Sequence, residues 1–203
     1  VKDGNGNAVC DGDGWETVSS ETHFQNDHLA VATEEIRTPA RKTPRSWTVV
    51  HRKRAVVIAP MTLEGKLILI RQERIPIHAA IWEVPSGQID QASEPTMSEI
   101  EAVALRELRE ETGFELGPGG ALISLGDYFT SPGFTDEHGY FFFARPVQPS
   151  ANGHAHDESE SILDCQAFCA AELFRMIDQN EIRDANTLGI CARLVARGIL
   201  SRE

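Results

Sequence analysis

Apolar residues cluster in short blocks through the first half of the chain. AVVIA (55–59) and KLILI (66–70) are two such runs, each of a length suited to a buried strand. The turn-prone stretch 62–65 between them predicts a hairpin. LAV (29–31) and SWTVV (46–50) predict two more strands, parted by TPARKTP, so the region 15–54 reads as strand-like but broken. The period then changes. Met97, Ile100, Ala104 and Leu108 recur at three- and four-residue spacing and predict a helix over 98–112. Ser98 is the expected cap, with Glu101 three residues on as in a capping box. Gly113 is expected to close the helix, with Phe114 as the apolar contact beyond it. Further strands are expected near 121–125, 140–144 and 162–168, and helices over 172–179 and 188–197. Strands and helices mix without strict alternation, which predicts an α+β fold with helices packed on a mixed sheet.

Composition narrows the picture little. The hydrophobic fraction, 41%, is slightly below the usual globular range, and the charged fraction of 25% is ordinary for a chain of 203 residues. No apolar run approaches the ~20 residues of a membrane-spanning helix, so no membrane partner is expected. The net charge of −12 disfavours a nucleic-acid partner. Residues 1–14 are rich in Gly, Asn and Asp. Asp3, Asn5 and Asn7 alternate like calcium ligands, but Ala8 and Gly14 stand where that loop needs Gly and Glu, so a flexible tail is expected. Cys10, Cys165, Cys169 and Cys191 form no C-x-x-C pair and read mostly as inert buried thiols, in keeping with a cytoplasmic protein.

The chemistry concentrates at REL-REET-GF, residues 106–114. On a helix Glu107 and Glu111 share a face one turn apart, with Glu110 beside them. Like charges at that spacing cost a few tenths of a kcal/mol per pair, so helix stability does not ask for them. A hard cation such as Mg²⁺ does. A solvated acidic face paired with Arg106 and Arg109 is the structural alternative. The glycine after the helix and the EVPSG segment (83–87) before it weigh against that alternative.

Arg106, Glu107, Leu108, Glu110, Glu111, Gly113 and Phe114, with Gly87 upstream, resemble the motif of the Nudix hydrolase family. The interval from Gly87 to Arg106 is longer than that motif allows. Glu94 is the best match for its remaining glutamate, with the extra residues lengthening the loop or the helix start. The resemblance implies the Nudix α/β/α sandwich around a mixed β-sheet over 55–203. It also implies a β-rich segment over 15–54 that serves dimerisation and an adenine site. Glu107, Glu111 and the Ser86 carbonyl are the implied metal ligands, with Glu110 a third ligand or a group behind them, for Mg²⁺ with Mn²⁺ as alternative, and Arg106 is implied to orient the carboxylates.

Segment order further resembles the ADP-ribose pyrophosphatase branch, through SWTVVHRKRAVV, LILIRQERIPI, WEVPSGQID, SPGFTDE and MIDQNEIRDANT. The implied reaction is hydrolysis of a nucleoside diphosphate derivative, ADP-ribose giving AMP and ribose 5-phosphate. Another nucleotide sugar such as GDP-mannose, or a non-catalytic ligand-sensing module, is the alternative. Arg52 and Arg74 are the implied phosphate grips and Trp47 the base platform. Glu83 is expected to bond a ribose or ring group, or to pair with an arginine. The implied general base is Glu160, with Glu158 as alternative. A homodimer is expected.

Overall fold

The computed structural model of the protein describes residues 14–90, 94–151 and 161–202, the Lys42 side chain excepted. Two compact units form. The first takes in the described residues up to Lys53 together with Ser131–Glu137, and the second the described parts of Arg54–Thr130 and His138–Glu203.

The first unit is an antiparallel three-stranded sheet of β1 (Glu16–Gln25), β2 (Leu29–Thr38) and β3 (Arg41–Arg52), in that order. The sequence pattern showed only the most apolar parts of β2 and β3 and missed β1. Every residue of β1 is exposed, so burial leaves no alternation to read. The expected break at TPARKTP shrinks to the turn at Pro39–Ala40, because Thr38 pairs with Arg41 and the ladder continues beyond. Ser131–Glu137 joins this unit through backbone bonding to β3. The Val50 N–H donates to Phe134 O at 2.8 Å, and Val50 bridges Thr135. Among the described residues of the unit, Ala32 is the only fully buried apolar side chain.

The second unit holds β4 (Ala55–Thr62), β5 (Leu67–Arg74), β6 (Ala79–Glu83), β7 (Ser86–Gln88), α1 (Met97–Thr112), β8 (Phe114–Phe129), β9 (His138–Pro149), β10 (Ile162–Phe168), α2 (Ala170–Asp178) and α3 (Ala185–Ala196). The sheet runs β10-β5-β4-β9-β8, with β6 on β5 and β7 on β4. It is mixed, because β4 and β9 are parallel and the other pairs antiparallel. The expected β4–β5 hairpin is present, closed by Thr62 N–H to Lys66 O at 2.9 Å.

Both faces of the sheet are covered, and the side-chain period of two sorts the residues between them. Val56 and Ile58 of β4, Ile68 of β5 and Phe142 and Ala144 of β9 pack with Ile100, Ala104 and Leu108 of α1. Their neighbours Val57, Ala59, Met61, Leu67, Leu69, Phe141 and Phe143 pack with Leu173, Met176, Ile190 and Leu194 of α2 and α3. This is an α/β/α sandwich. Burial pushes the Cys191 thiol up to about 12 and the Cys165 thiol up to about 11, the latter also through Asp164 and Glu111. Among the described residues no helix is long and apolar enough to cross a membrane.

Helix α1 is capped two residues before the position the pattern predicts. Its cap is Thr96, not Ser98, and its box partner is Glu99, not Glu101. The Thr96 N–H donates to Glu99 Oε2 at 2.7 Å and the Glu99 N–H donates to Thr96 Oγ1 at 3.4 Å. Gly113 closes the helix at φ +72°, as expected.

Candidate functional site

Between β6 and β7 the chain turns through Val84 and Pro85, and Ser86 and Gly87 come to lie against α1. The Ser86 N–H donates to Glu111 Oε2 at 2.7 Å. Gly87 passes so close to Glu107 that a Cβ added there would fall inside the Glu107 carboxylate. A side chain at position 87 would therefore displace the carboxylate, which accounts for glycine here. Glu107 is 5% exposed and Glu111 1%, so two carboxylates one helical turn apart lie buried against Ser86 and Gly87 of β7. Burying carboxylates costs several kcal/mol each unless charges or donors compensate.

Arg106 supplies part of that compensation. It donates to Glu107 Oε1 at 2.5 Å and to Glu110 Oε2 at 2.6 Å. Burial works against its charge, but the two carboxylates outweigh burial and hold the guanidinium above its ordinary value. Among the described residues, no three His, Cys, Asp or Glu side chains converge as a metal cluster. The donor set still has the chemistry of a hard-cation site. It offers carboxylate and carbonyl oxygen only, two of the carboxylates are buried, and a glycine keeps the backbone close.

Arg74 of β5 and Glu83 of β6 lie four positions out of register and are bonded side chain to side chain. Arg74 donates from Nε to both Glu83 oxygens, at 2.9 and 3.2 Å, and from Nη2 to Oε2 at 2.9 Å. Of the two roles expected for Glu83, the structure contains the pairing with an arginine. Burial is the largest influence on Glu83 and raises its carboxyl above the ordinary value despite Arg74. Glu111 and Asp184 also act on the Arg74 charge. A cleft of about 390 Å³ is lined by Arg74, His78 and Ala80 among others.

Trp47 and Arg52 belong to the first unit. Trp47 is 55% exposed and donates from Nε1 to Gly133 O at 3.0 Å. It lines a cleft of about 520 Å³ together with Trp15, Arg45 and Phe134. Arg52 pairs with Glu137 at 3.3 Å, and its N–H donates to Asp136 Oδ1 at 2.9 Å. Neither Asp136 nor Glu137 was singled out from the sequence, because a carboxylate in a loop carries no periodic signal. Glu94 stands before α1, largely exposed, and pairs with Arg54 at 2.5 Å. Glu158 and Glu160 lie outside the described residues, as does the segment 1–13.

The sequence matches the NUDIX domain over residues 51–188, most of the chain. The chain belongs to the NUDIX family. This Nudix chain is 30% identical to the ADP-ribose pyrophosphatase of Bacillus subtilis (strain 168), over 84% of its own length and 87% of the relative's. It is also 30% identical to the methanol dehydrogenase activator of Bacillus methanolicus, over 85% and 88%. The crystal structure of an ADP compounds hydrolase shares the fold, with a TM-score of 0.72, 19% identity, and 92% and 97% of the two chains covered.

Proposed function

We propose that this Nudix chain hydrolyses ADP-ribose, ADP-ribose plus water giving AMP and ribose 5-phosphate, with Mg²⁺ as cofactor. The observation that carries the reading is the pair of buried carboxylates, Glu107 and Glu111, packed under Ser86–Gly87 in a Nudix chain that resembles an ADP-ribose pyrophosphatase over most of its length. Glu107, Glu110, Glu111 and the Ser86 carbonyl would hold the cation. When bound, it supplies charge neutralisation for the phosphates and a lowered pKa for water at the site.

The chain's own residues carry the rest. Glu83 takes the Nε–Nη2 edge of Arg74, which leaves the Nη1 end for a phosphate oxygen. Arg52 is the second phosphate grip. Trp47, exposed and tied down by its indole N–H, is the platform for the base. Glu160, with Glu158 as alternative, is the proposed base for the attacking water. A second copy of the chain would cover the exposed first unit, giving a homodimer.

The test is a panel of nucleoside diphosphate derivatives with Mg²⁺, read as phosphate released after phosphatase coupling. ADP-ribose should exceed GDP-mannose and ADP in kcat/KM. Glu107→Gln and Glu111→Gln should each fold and lose about 10²-fold or more in kcat, the scale of removing one charge-stabilising group. Near-normal turnover in both variants would overturn the reading of the site. A clear win for GDP-mannose would overturn only the substrate.

A further inference from the structure

Gln72 lies in β5 and is 6% exposed, yet among the described residues no donor reaches its Oε1 carbonyl. A buried acceptor left unmatched costs stability. Packing does not require it, since its cross-strand neighbours are Ile162 on β10 and Ile81 on β6, and Ile70 precedes it by two positions on the same face. A branched apolar side chain would fill such a place.

The face it occupies is informative. Ile68 of β5 packs into the α1 cluster, while Leu67 and Leu69 pack on the opposite side. The period of two puts Gln72 and Arg74 on the α1 side with Ile68. Glu83, bonded to Arg74, stands on that face too, as the diagonal neighbour of Gln72 on β6. Gln72 and the arginine assigned to the diphosphate are therefore successive residues on one face of β5. A diphosphate ester at neutral pH offers acceptors only, so an acceptor cannot serve it. What such a carbonyl lacks is an O–H or N–H donor, and the groups flanking the diphosphate of ADP-ribose are polyhydroxylated sugars.

We infer that Gln72 is a specificity-determining residue whose Oε1 accepts a hydrogen bond from an O–H group of the bound substrate complex, either a sugar hydroxyl next to the diphosphate or a water held with it. The inference rests on the ADP-ribose reading. A merely structural glutamine makes the opposite prediction for stability, which gives a readout independent of turnover.

The experiment uses Gln72→Met, close in length and without a carbonyl, and Gln72→Leu as a second apolar variant. In the ligand-free protein Tm should rise by about 2–4 °C, because an unmatched buried carbonyl has gone. With ADP-ribose, kcat/KM should fall about tenfold, the loss of one hydrogen bond at 1.4 kcal/mol per decade. Ribose 5-phosphate and its monodeoxy forms, used as competitive inhibitors, separate the two donors. If a sugar hydroxyl is the donor, one monodeoxy form binds the unaltered protein about tenfold more weakly, and Gln72→Met does not distinguish it from ribose 5-phosphate. If a water is the donor, Gln72→Met weakens all forms alike. A Tm that falls in both variants, or kcat/KM within twofold of the unaltered protein in both, overturns the inference. An unaltered protein inactive on ADP-ribose overturns the substrate reading and this inference with it. An active one matched by Gln72→Met overturns this inference alone.

Discussion

Asp127 and His138 are diagonal neighbours on β8 and β9, with His138 Nε2 2.8 Å from Asp127 Oδ2. The imidazole is stacked on Phe129 at 5.0 Å and tilted against Tyr140 at 4.8 Å. Burial on its own would raise the Asp127 carboxyl. The hydrogen bond with His138, a backbone amide and the charges of His138 and Arg193 outweigh burial and hold it below the ordinary value. A depressed carboxyl contributes stability that is fully present above the unfolded value of about 3.9 and is lost as pH falls through the folded value. Asp127→Asn should therefore cost about 1–2 kcal/mol at pH 7. The deficit should shrink steadily once the pH drops below about 3.9. Urea unfolding at pH 7 and at pH 3 checks this, and a deficit equal at both would show that the carboxylate charge contributes nothing.

Helix α1 owes its start to Thr96 rather than Ser98, and the two can be told apart. Thr96→Ala removes the side-chain acceptor for the Glu99 N–H and should cost about 1 kcal/mol, or about 2–4 °C in Tm. Ser98→Ala lies inside the first turn and should stay within about 0.5 kcal/mol. The misplacement has a physical source. Ser98–Glu101 and Thr96–Glu99 both satisfy the capping-box spacing, and only backbone geometry separates them. The carboxylate-bearing end of the same helix was legible because Glu107 and Glu111 share a face by helical period and Gly113 ends the run at positive φ. Buried strands β4 and β5 were legible for the same kind of reason, an apolar run bounded by a turn. Strand β1 was not, since no residue of it is buried. Gln72 and the Asp127–His138 pair were not legible either. Each depends on cross-strand register, which a single chain does not reveal.

The first unit sets the expectation for the whole molecule. Trp15, Val18, Phe24 and Trp47 are all more than two-fifths exposed, and Ala32 alone is a fully buried apolar side chain among its described residues. A three-stranded sheet with so little apolar burial does not carry its own stability. Sedimentation at micromolar concentration should therefore give twice the 22.4 kDa chain mass. A fully active species at 22.4 kDa would contradict the dimer. Strand β4 has a different consequence for the second unit. It is hydrogen-bonded along β9 on one edge and shared between β5 and β7 on the other, and its two faces belong to two separate apolar clusters. Its amides cannot meet solvent without both helical layers lifting together. Deuterium uptake along this strand should thus be the slowest in the unit, its rate reporting the opening of the whole sandwich rather than the breathing of either layer.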